Sequence, residues 1–342
     1  MRKAKGIGLI SGGLDSALAC KVLKEAGADI SCLHFFTGFC VTGHHSRVGR
    51  KDKPVANDAL QVAAEIDVPL DMIDISQDYL NIVLHPKHGY GANMNPCIDC
   101  REFMLRKAKA HMENLGADFV FTGEVIGQRP MSQTRRTLDD IEMRVGLQER
   151  LLRPLSAKLL PPTQAEKDGL IDREKLYGFH GRSRKPQLAL AEKYGITRFA
   201  QPAGGCCFLT DEPYSRKFRD MIRHGGEDSL SMDDIYLLGV GRHLRLSPTL
   251  KIIIGRDEVE NNFLARYGDR HWLATATQHP GATALIVGDM DDEAWRRIAA
   301  IAARYSDGRQ ESTVEVRFTF DDQQRTMTIS PASNDLIDPM RI

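Results

Sequence analysis

Residues 6–16 read Gly-Ile-Gly-Leu-Ile-Ser-Gly-Gly-Leu-Asp-Ser, an apolar run that breaks into a turn rich in glycine and serine. A helical pattern follows at once, over residues 16–26. A strand that ends in such a turn at a helix N-terminus forms an anion site, because backbone N–H groups and the positive end of the helix dipole converge there. The turn has neither the Lys of the Walker loop nor the dinucleotide spacing. We predict that it binds phosphate through Ser11, Gly12, Gly13, Leu14, Asp15 and Ser16.

Strand-like and helix-like segments alternate along the first part of the chain. The predicted strands are 6–10, 29–36, 70–75 and 118–122, and the predicted helices are 16–26, 53–66 and 100–115. Repeated strand–helix–strand units predict an α/β fold with a doubly wound, Rossmann-like parallel sheet. The phosphate turn would then lie at the carboxyl edge of the sheet, where such folds bind ligands.

The pattern of predicted strands and helices changes near residue 230. A strand at 250–254, a helix at 295–305 and a hairpin at 313–320 and 324–329 predict a smaller α+β domain. A length of 342 residues also favours about two domains. We therefore divide the chain into 1–230, which carries the phosphate turn, and 231–342.

Composition excludes little and favours a globular protein. With 46 basic and 46 acidic residues, the overall charge gives no argument for a nucleic-acid partner, so any such surface must be local. No apolar run approaches the roughly 20 residues of a membrane span. We expect a cytoplasmic protein without a membrane partner. Seven cysteines in such a compartment indicate metal or redox chemistry rather than a disulfide framework.

Two cysteine groups stand out. Cys97 and Cys100 form a C-x-x-C pair directly before a helix, where the helix dipole stabilises a thiolate. Cys206 and Cys207 follow two glycines, which suggests an exposed turn, and Cys40 lies in a loop as an outside candidate. Four interpretations stay open at this point. They are a zinc site, a redox pair that carries sulfur as a persulfide, a three-thiolate iron–sulfur site, and unrelated buried cysteines.

Four separated motifs identify a resemblance to a known family. The hexapeptide Ser11–Ser16 resembles the loop of the PP-loop ATP pyrophosphatases, which split ATP into AMP and pyrophosphate and adenylate a carbonyl oxygen. Together with Asn95–Arg101, Thr122–Gln128 and Gly204–Asp211, it makes the first 220 or so residues similar to the tRNA thiouridine synthases. The THUMP and rhodanese domains of typical 4-thiouridine synthases are not expected here.

The resemblance implies a set of residue roles. Cys207, rather than its neighbour, is the late family cysteine, and Cys97 stands where the 2-thiouridylase branch usually has Asp. ATP would be bound with Mg²⁺, which Asp15 would position. The remaining residues that would frame the nucleotide are Phe36, Gly123 and Gln128.

Sulfur transfer is implied in two versions. The preferred version places a 4Fe-4S cluster on Cys97, Cys100 and Cys207, with one iron presenting hydrosulfide. In the other, Cys207 carries a persulfide and Cys100 releases the sulfur by forming a disulfide. The donor would be inorganic sulfide or a cysteine desulfurase.

A tRNA partner needs a basic surface. The stretch from Arg153 to Lys185 is basic, and the segment 255–264 resembles the NFACT-type RNA-binding domain, with a plain structural domain as the alternative. We predict that RNA backbone is bound by Arg182, Arg184, Lys185, Arg216 and Lys217.

Two other functions remain open from the sequence. A PP-loop amidotransferase or ligase would adenylate a small carboxylate and would need no aligned cysteines. A non-enzymatic RNA-binding protein would need no intact phosphate turn.

Overall fold

The computed structural model describes residues 2–41, 48–49, 57–199 and 207–342. The chain divides into two compact units, one of Met1–Thr42 with Ala56–Thr210 and one of Gly43–Val55 with Asp211–Ile342. The roles assigned to 1–230 and 231–342 stay predictions. Within the described residues, no helix has the length and apolar character needed to cross a membrane.

The first unit is built on a five-stranded parallel sheet in the order β3-β2-β1-β4-β5. Its strands are β1 (Lys5–Leu9), β2 (Asp29–Phe36), β3 (Leu70–Asp74), β4 (Phe119–Thr122) and β5 (Leu151–Leu152). The chain adds β2 and β3 on one side of β1 and then returns to place β4 on the other side. Such a reversal opens a crevice at the carboxyl ends of the two central strands. The predicted fold class is confirmed.

Helices cover the sheet of the first unit. They are α1 (Leu14–Glu25), α2 (Asp58–Glu65), α3 (Ser76–Leu84), α4 (Cys97–Asn114), α5 (Arg135–Val145), α6 (Gln164–Lys167) and α7 (Lys185–Tyr194). The helix predicted over 53–66 is seen as α2, and its residues before 57 lie outside the described part. Helix α4 begins at Cys97, three residues before the predicted start, so both thiols of the C-x-x-C pair lie in its first turn.

Two apolar cores hold the sheet between these helices. One contains the buried face of α1, including Leu18 and Leu23, with Phe121 of β4. The other packs Leu105 of α4 against Val120 on the opposite face. Burial of each such side chain contributes roughly 1.5–3 kcal/mol, which fixes β1 and β4 and therefore the turns that leave them.

The second unit contains a six-stranded antiparallel sheet in the order β11-β10-β8-β9-β7-β6. Its strands are β6 (Arg242–Ser247), β7 (Leu250–Ile254), β8 (Trp272–Ala276), β9 (Ala284–Gly288), β10 (Val314–Phe320) and β11 (Gln323–Ile329). Its helices are α8 (Glu212–Gly225), α9 (Met232–Leu238), α10 (Glu258–Ala265), α11 (Asp292–Arg304) and α12 (Asn334–Ile337). The predicted α+β character is therefore seen, with three strands more than the sequence indicated.

Candidate active site

The phosphate turn leaves β1 and starts α1. Gly13 is the N-cap of this helix, and no side chain caps it. The N–H groups in the first turn of α1 are therefore not bound by a capping side chain. Helix α5 differs, because its N-cap Thr134 accepts a hydrogen bond from the backbone there. The hydroxyl of Ser16 donates to the Gly13 carbonyl at 2.8 Å and fixes the curvature of the turn. An uncapped N-terminus after a buried strand is suited to a phosphate group.

Two glycines are required for the close approach of backbone around this turn. Gly12 has a φ of 79°, and a Cβ there would come within 2.8 Å of the Ala59 nitrogen at the start of α2. A Cβ at Gly123, which follows β4, would overlap the backbone of Asp15 and Ser16. The turn after β4 therefore lies directly on the first turn of α1, and the role of Gly123 in framing the nucleotide stays a prediction.

Asp15 is oriented by Gln128, which belongs to the predicted motif Thr122–Gln128. The Nε2 of Gln128 donates to Asp15 Oδ2 at 2.7 Å, while the buried Oδ1 has no hydrogen-bond partner in the described residues. Burial raises the pKa of Asp15 and outweighs the opposing effects of the Gln128 hydrogen bond and of Arg184 and Arg129. A carboxylate oxygen left without a partner is a donor that suits Mg²⁺, which prefers oxygen ligands.

This burial gives a pH-dependent prediction for Asp15→Asn in the nucleotide-free protein. The pKa of Asp15 is higher in the folded than in the unfolded state, so its ionised form costs stability at neutral pH. We expect the variant to have a higher Tm than the wild type at pH 7.5. The difference should vanish as the pH falls below about 4, the ordinary value for Asp in an unfolded chain. Thermal unfolding at a series of pH values measures this, and a lower Tm for the variant at pH 7.5 would contradict it.

Arg184 lies at this site, although the sequence predicted an RNA contact for it. It precedes α7, its charge acts on Asp15, and its buried Nε has no hydrogen-bond partner in the described part of the chain. Arg182, two residues earlier, is exposed. A half-buried guanidinium beside an uncapped helix N-terminus is placed to pair with a phosphate.

We therefore expect Arg184→Ala and Arg182→Ala to differ in nucleotide affinity. Loss of a charge-assisted contact of about 1.5–3 kcal/mol should weaken binding of a non-hydrolysable ATP analogue by roughly tenfold or more in the first variant. The exposed Arg182 serves as the matched control, with a change below about twofold. Titration calorimetry gives both values, and equal effects would remove Arg184 from the nucleotide site.

Cys97 and Cys100 share one face of the first turn of α4, since residues three apart on a helix are neighbours. The Nδ2 of Asn95 donates to Cys97 Sγ at 2.8 Å, which favours the thiolate. Asp99 lies between the two cysteines in the sequence and is buried. Its carboxylate accepts hydrogen bonds from the N–H groups of Lys87 and His88, both at 3.1 Å. The loop before α4 is thereby tied to the helix that carries both thiols.

The segment that contains Cys207 docks on this loop. The N–H of Met94 donates to the Leu209 carbonyl at 3.1 Å, and Asn93 Nδ2 donates to the Thr210 carbonyl at 2.8 Å. On its other side, Cys207 pairs as an isolated antiparallel bridge with Cys40. The fold thus brings the late cysteine to the segment just before Cys97. Sequence reasoning kept Cys40 only as an outside candidate.

A buried ion network joins the thiol helix to the turn after β4. Glu124 lies 3.0 Å from Arg101 Nε and 3.2 Å from Arg153 Nε, and Arg153 also donates to Glu142 at 2.8 Å. Burial alone would raise the pKa of Glu124, but Arg101 and Arg153, with the Thr122 hydroxyl, hold it below its usual range. Arg153 is 1% exposed. Its place in the predicted RNA surface is therefore corrected, because the side chain is enclosed by this network.

The other predicted residues are placed less distinctively. Phe36 ends β2, and its carbonyl accepts the N–H of Ile75. The side chain of Leu14 is buried in the core, so that only the backbone of Leu14 faces the turn. Lys185 and Arg216 are exposed. Lys217 is turned inward, with Nζ donating to the Leu238 carbonyl at 2.9 Å, and burial, with Arg256 and Lys251, lowers its pKa to about 8.

Cys97, Cys100 and Cys207 are the predicted ligands of a 4Fe-4S cluster. Among the residues that the structure describes, no three Cys, His, Asp or Glu side chains are grouped so as to hold one metal ion. The cluster, whose thiolates each bind a different iron, stays a prediction. None of these cysteines is in a disulfide.

Sequence comparisons match the two units to different families. Residues 5–149 match the tRNA methyl transferase HUP domain, and residues 241–339 match the NFACT protein RNA binding domain. The tRNA-specific 2-thiouridylase MnmA of Roseiflexus sp. is 28% identical over 262 residues, covering 70% of this chain and 67% of that protein. The tRNA-specific 2-thiouridylase of Desulfosudis oleivorans is 32% identical over 119 residues, 34% of this chain and 30% of that protein.

Similar solved structures include a 4-thiouridine synthetase–RNA complex with bound ATP. It is 24% identical, with a TM-score of 0.37, over 62% of this chain and 43% of that one. The C-terminal part of the fibronectin/fibrinogen-binding protein of Streptococcus suis is 18% identical, with a TM-score of 0.27, over 46% of this chain and 77% of that one.

The doubly wound sheet and the turn after β1 define an α/β protein with a Rossmann-like sheet, and residues 5–149 match the HUP domain. The resemblance read from the sequence is confirmed: the chain is related to the PP-loop tRNA thiouridine synthases, and its C-terminal part to the NFACT RNA-binding domain. The chain spans about two thirds of the first 2-thiouridylase and under a third of the second.

Proposed function

We propose that this protein is an ATP-dependent tRNA sulfurtransferase that adenylates a uridine carbonyl and then replaces its oxygen with sulfur. The observation that carries the proposal is the pairing of two cysteine-bearing segments at the sheet edge of the phosphate turn. The loop that contains Cys40 leaves β2 at the same sheet edge as Ser11–Ser16, which follow β1, and it pairs with the Cys207 segment. A ligase acting on a small carboxylate needs the turn but gives no reason for these two cysteines to pair.

Adenylation is needed because oxygen is a poor leaving group from a uracil carbonyl. The N–H groups at the start of α1 would bind the pyrophosphate, and Arg184 would neutralise phosphate charge. Asp15, held by Gln128, would hold Mg²⁺ through its unpartnered oxygen. Mg²⁺ bound there would neutralise the negative charge that develops on the phosphates. The contact of Gly123 with Asp15 keeps the turn closed against the sheet.

Sulfur transfer is assigned to the thiols themselves. Cys207 would carry the sulfur as a persulfide, loaded by transfer of sulfane sulfur from the persulfide of a cysteine desulfurase. Inorganic sulfide, which is already at the oxidation level of the product, would instead attack the activated carbon directly, without a persulfide. This route uses the thiols alone and needs no 4Fe-4S cluster. The cluster stays a prediction, and anaerobic purification tests it. A brown protein whose charge-transfer absorbance is lost in Cys97→Ala would support a cluster, and a colourless, active protein would eliminate it.

The RNA partner is supported by the second unit. Residues 241–339 match an RNA-binding domain, and the exposed Arg182, Lys185 and Arg216 are available for phosphate contacts. The target uridine would leave its stack to reach the sheet edge. A tRNA substrate agrees with the expected cytoplasmic location.

The function is tested with purified protein, ATP, Mg²⁺, a sulfur donor and tRNA from a deletion strain. We expect AMP release that depends on tRNA and a thiouridine of matching amount in the nucleoside mass spectrum. AMP formation stimulated by a small carboxylic acid, and not by tRNA, would establish the ligase alternative. Binding of tRNA without any AMP would establish the non-enzymatic one.

A further inference from the structure

Cys40 and Cys207 lie opposite each other in the first unit, although they are far apart in the chain. They form an isolated antiparallel bridge between the loop after β2 and the segment before Phe208. Next to this pair, the N–H of Phe208 donates to the Phe39 carbonyl at 3.0 Å. Phe39 is itself fully buried and packs edge-on against Tyr79 of α3 at 5.8 Å between ring centroids. The Cys40 side of the bridge is thus anchored in the core.

The hydrogen bond beside the pair defines its geometry. In an antiparallel ladder, a bond between the residues on either side brackets a non-hydrogen-bonded pair, whose Cα atoms lie about 4.5 Å apart and whose side chains share one face. A disulfide needs Cα atoms about 4.4–6.8 Å apart. A non-hydrogen-bonded pair of this kind therefore has a Cα separation within the range that disulfides span.

The surroundings of Cys40 favour a nucleophilic sulfur. Thr37 Oγ1 lies 3.2 Å from Cys40 Sγ and accepts the N–H of Phe39 at 3.3 Å. A hydroxyl has two acceptor lone pairs, so Thr37 can accept from the Cys40 S–H as well as from Phe39, and once Cys40 is ionised the hydroxyl donates to the sulfur and stabilises the thiolate. Thr37 is buried, so this hydrogen bond has little competition from water.

We propose that Cys40 is the thiol that releases sulfur from Cys207, a role that rests on the proposed thiolation. The terminal sulfur of the Cys207 persulfide bonds to the activated base carbon, and AMP leaves with the electron pair of the C–O bond. The Cys40 thiolate then attacks Cys207 Sγ. The bond from Sγ to the transferred sulfur breaks, its electron pair stays on that sulfur, and the base takes up a proton.

The electrons balance over this sequence. The transferred sulfur is reduced by two electrons, and the thiols of Cys40 and Cys207 are oxidised to one disulfide. A dithiol reductant restores both thiols, and a protein persulfide of the desulfurase type reloads Cys207. The alternative is attack by Cys100, and the experiments below separate the two.

The first experiment needs no tRNA and tests the pairing alone. The reduced full-length protein is treated with diamide, the remaining thiols are alkylated, and peptides are mapped by mass spectrometry. We expect Cys40–Cys207 as the main disulfide and its loss in Cys40→Ser. The Cys100→Ser variant is the matched control and should still form it. A main disulfide between Cys100 and Cys207 would overturn the proposal.

The second experiment is a single turnover with persulfide-loaded protein, ATP and tRNA, without reductant. We expect Cys40→Ser to accumulate a covalent protein–tRNA adduct that dithiothreitol releases as thiolated tRNA, while Cys100→Ser accumulates none. The reverse pattern would assign the role to Cys100. If the wild-type protein releases no AMP with tRNA, the proposed function fails, whereas normal AMP release and thiolation by Cys40→Ser without adduct refutes only the role of Cys40.

Discussion

Replacing Arg153 with alanine is expected to lower the free energy of unfolding of the first unit by about 3–5 kcal/mol. That is the usual cost of removing one partner from a buried ion pair, because the remaining charge is left without compensation. Arg153 is 1% exposed and contacts two carboxylates, Glu124 and Glu142. After the substitution Glu124 keeps Arg101, but Glu142 loses its buried partner.

The measurement must report on the first unit. Both tryptophans, Trp272 and Trp295, belong to the second, so their fluorescence serves as a reference, and hydrogen exchange of β4 amides in urea reports the first. Arg136→Ala is the matched control, since its side chain is 93% exposed and 3.9 Å from Asp140, and its cost should stay below about 0.5 kcal/mol. A similar cost for both variants would show that the buried network does not stabilise the fold.

Replacing Cys207 with serine is expected to reduce thiolation by at least about a thousandfold. A hydroxyl at this position carries no persulfide, so the sulfur has no place to be loaded. Adenylation uses the turn after β1 and should continue, so that AMP is released with tRNA while no thiouridine appears. Nucleoside mass spectrometry and AMP assays on the same samples separate the two steps.

The adjacent thiol provides the control for this prediction. Cys206→Ser changes the same chemical group one position earlier, and we expect its thiolation rate to stay within about threefold of the wild type. If Cys206→Ser is inactive and Cys207→Ser is active, the choice between the two cysteines that the family resemblance made is wrong. Equal activity of both variants would place the sulfur elsewhere.

Four of the five strands of the first sheet were predicted from the sequence because local signals agree with the fold. Strands β1, β2 and β4 are mostly apolar, and the glycines of the turn after β1 mark where that strand ends. Strand β5 was missed because two residues carry no periodic pattern. In the second unit, β7 was predicted because it is uniformly apolar. Strands β6, β8 and β9 were missed. Arg, His and Thr residues dilute the apolar pattern of β6 and β8, whereas β9 (Ala284–Gly288) is as apolar as β7 and carried a usable local signal. The identity of β6 and β8 as strands depends on pairing with neighbours in the antiparallel sheet.

The motifs of the candidate site could be predicted from the sequence, but the contacts between residues of different motifs could not. The motif containing Gln128 was found, but its contact with Asp15 is set by the β1–β4 crossing, which no local pattern encodes. Arg184 was assigned to RNA on charge alone, because its burial beside α1 depends on where α7 packs. Cys40 had one available signal, since it follows the carboxyl end of a predicted strand, the edge at which such sheets bind ligands.

The network around Glu124 connects the turn after β1 to the helix that carries Cys97 and Cys100. Glu124 is the neighbour of Gly123, which touches Asp15, and Arg101, its partner, is the neighbour of Cys100. If bound nucleotide changes the reactivity of the Cys100 thiol, then alkylation of that thiol must change nucleotide affinity by the same factor, because such coupling is reciprocal. The reactivity of the thiols would then depend on whether a base has been activated, so that sulfur is transferred only to an adenylated target.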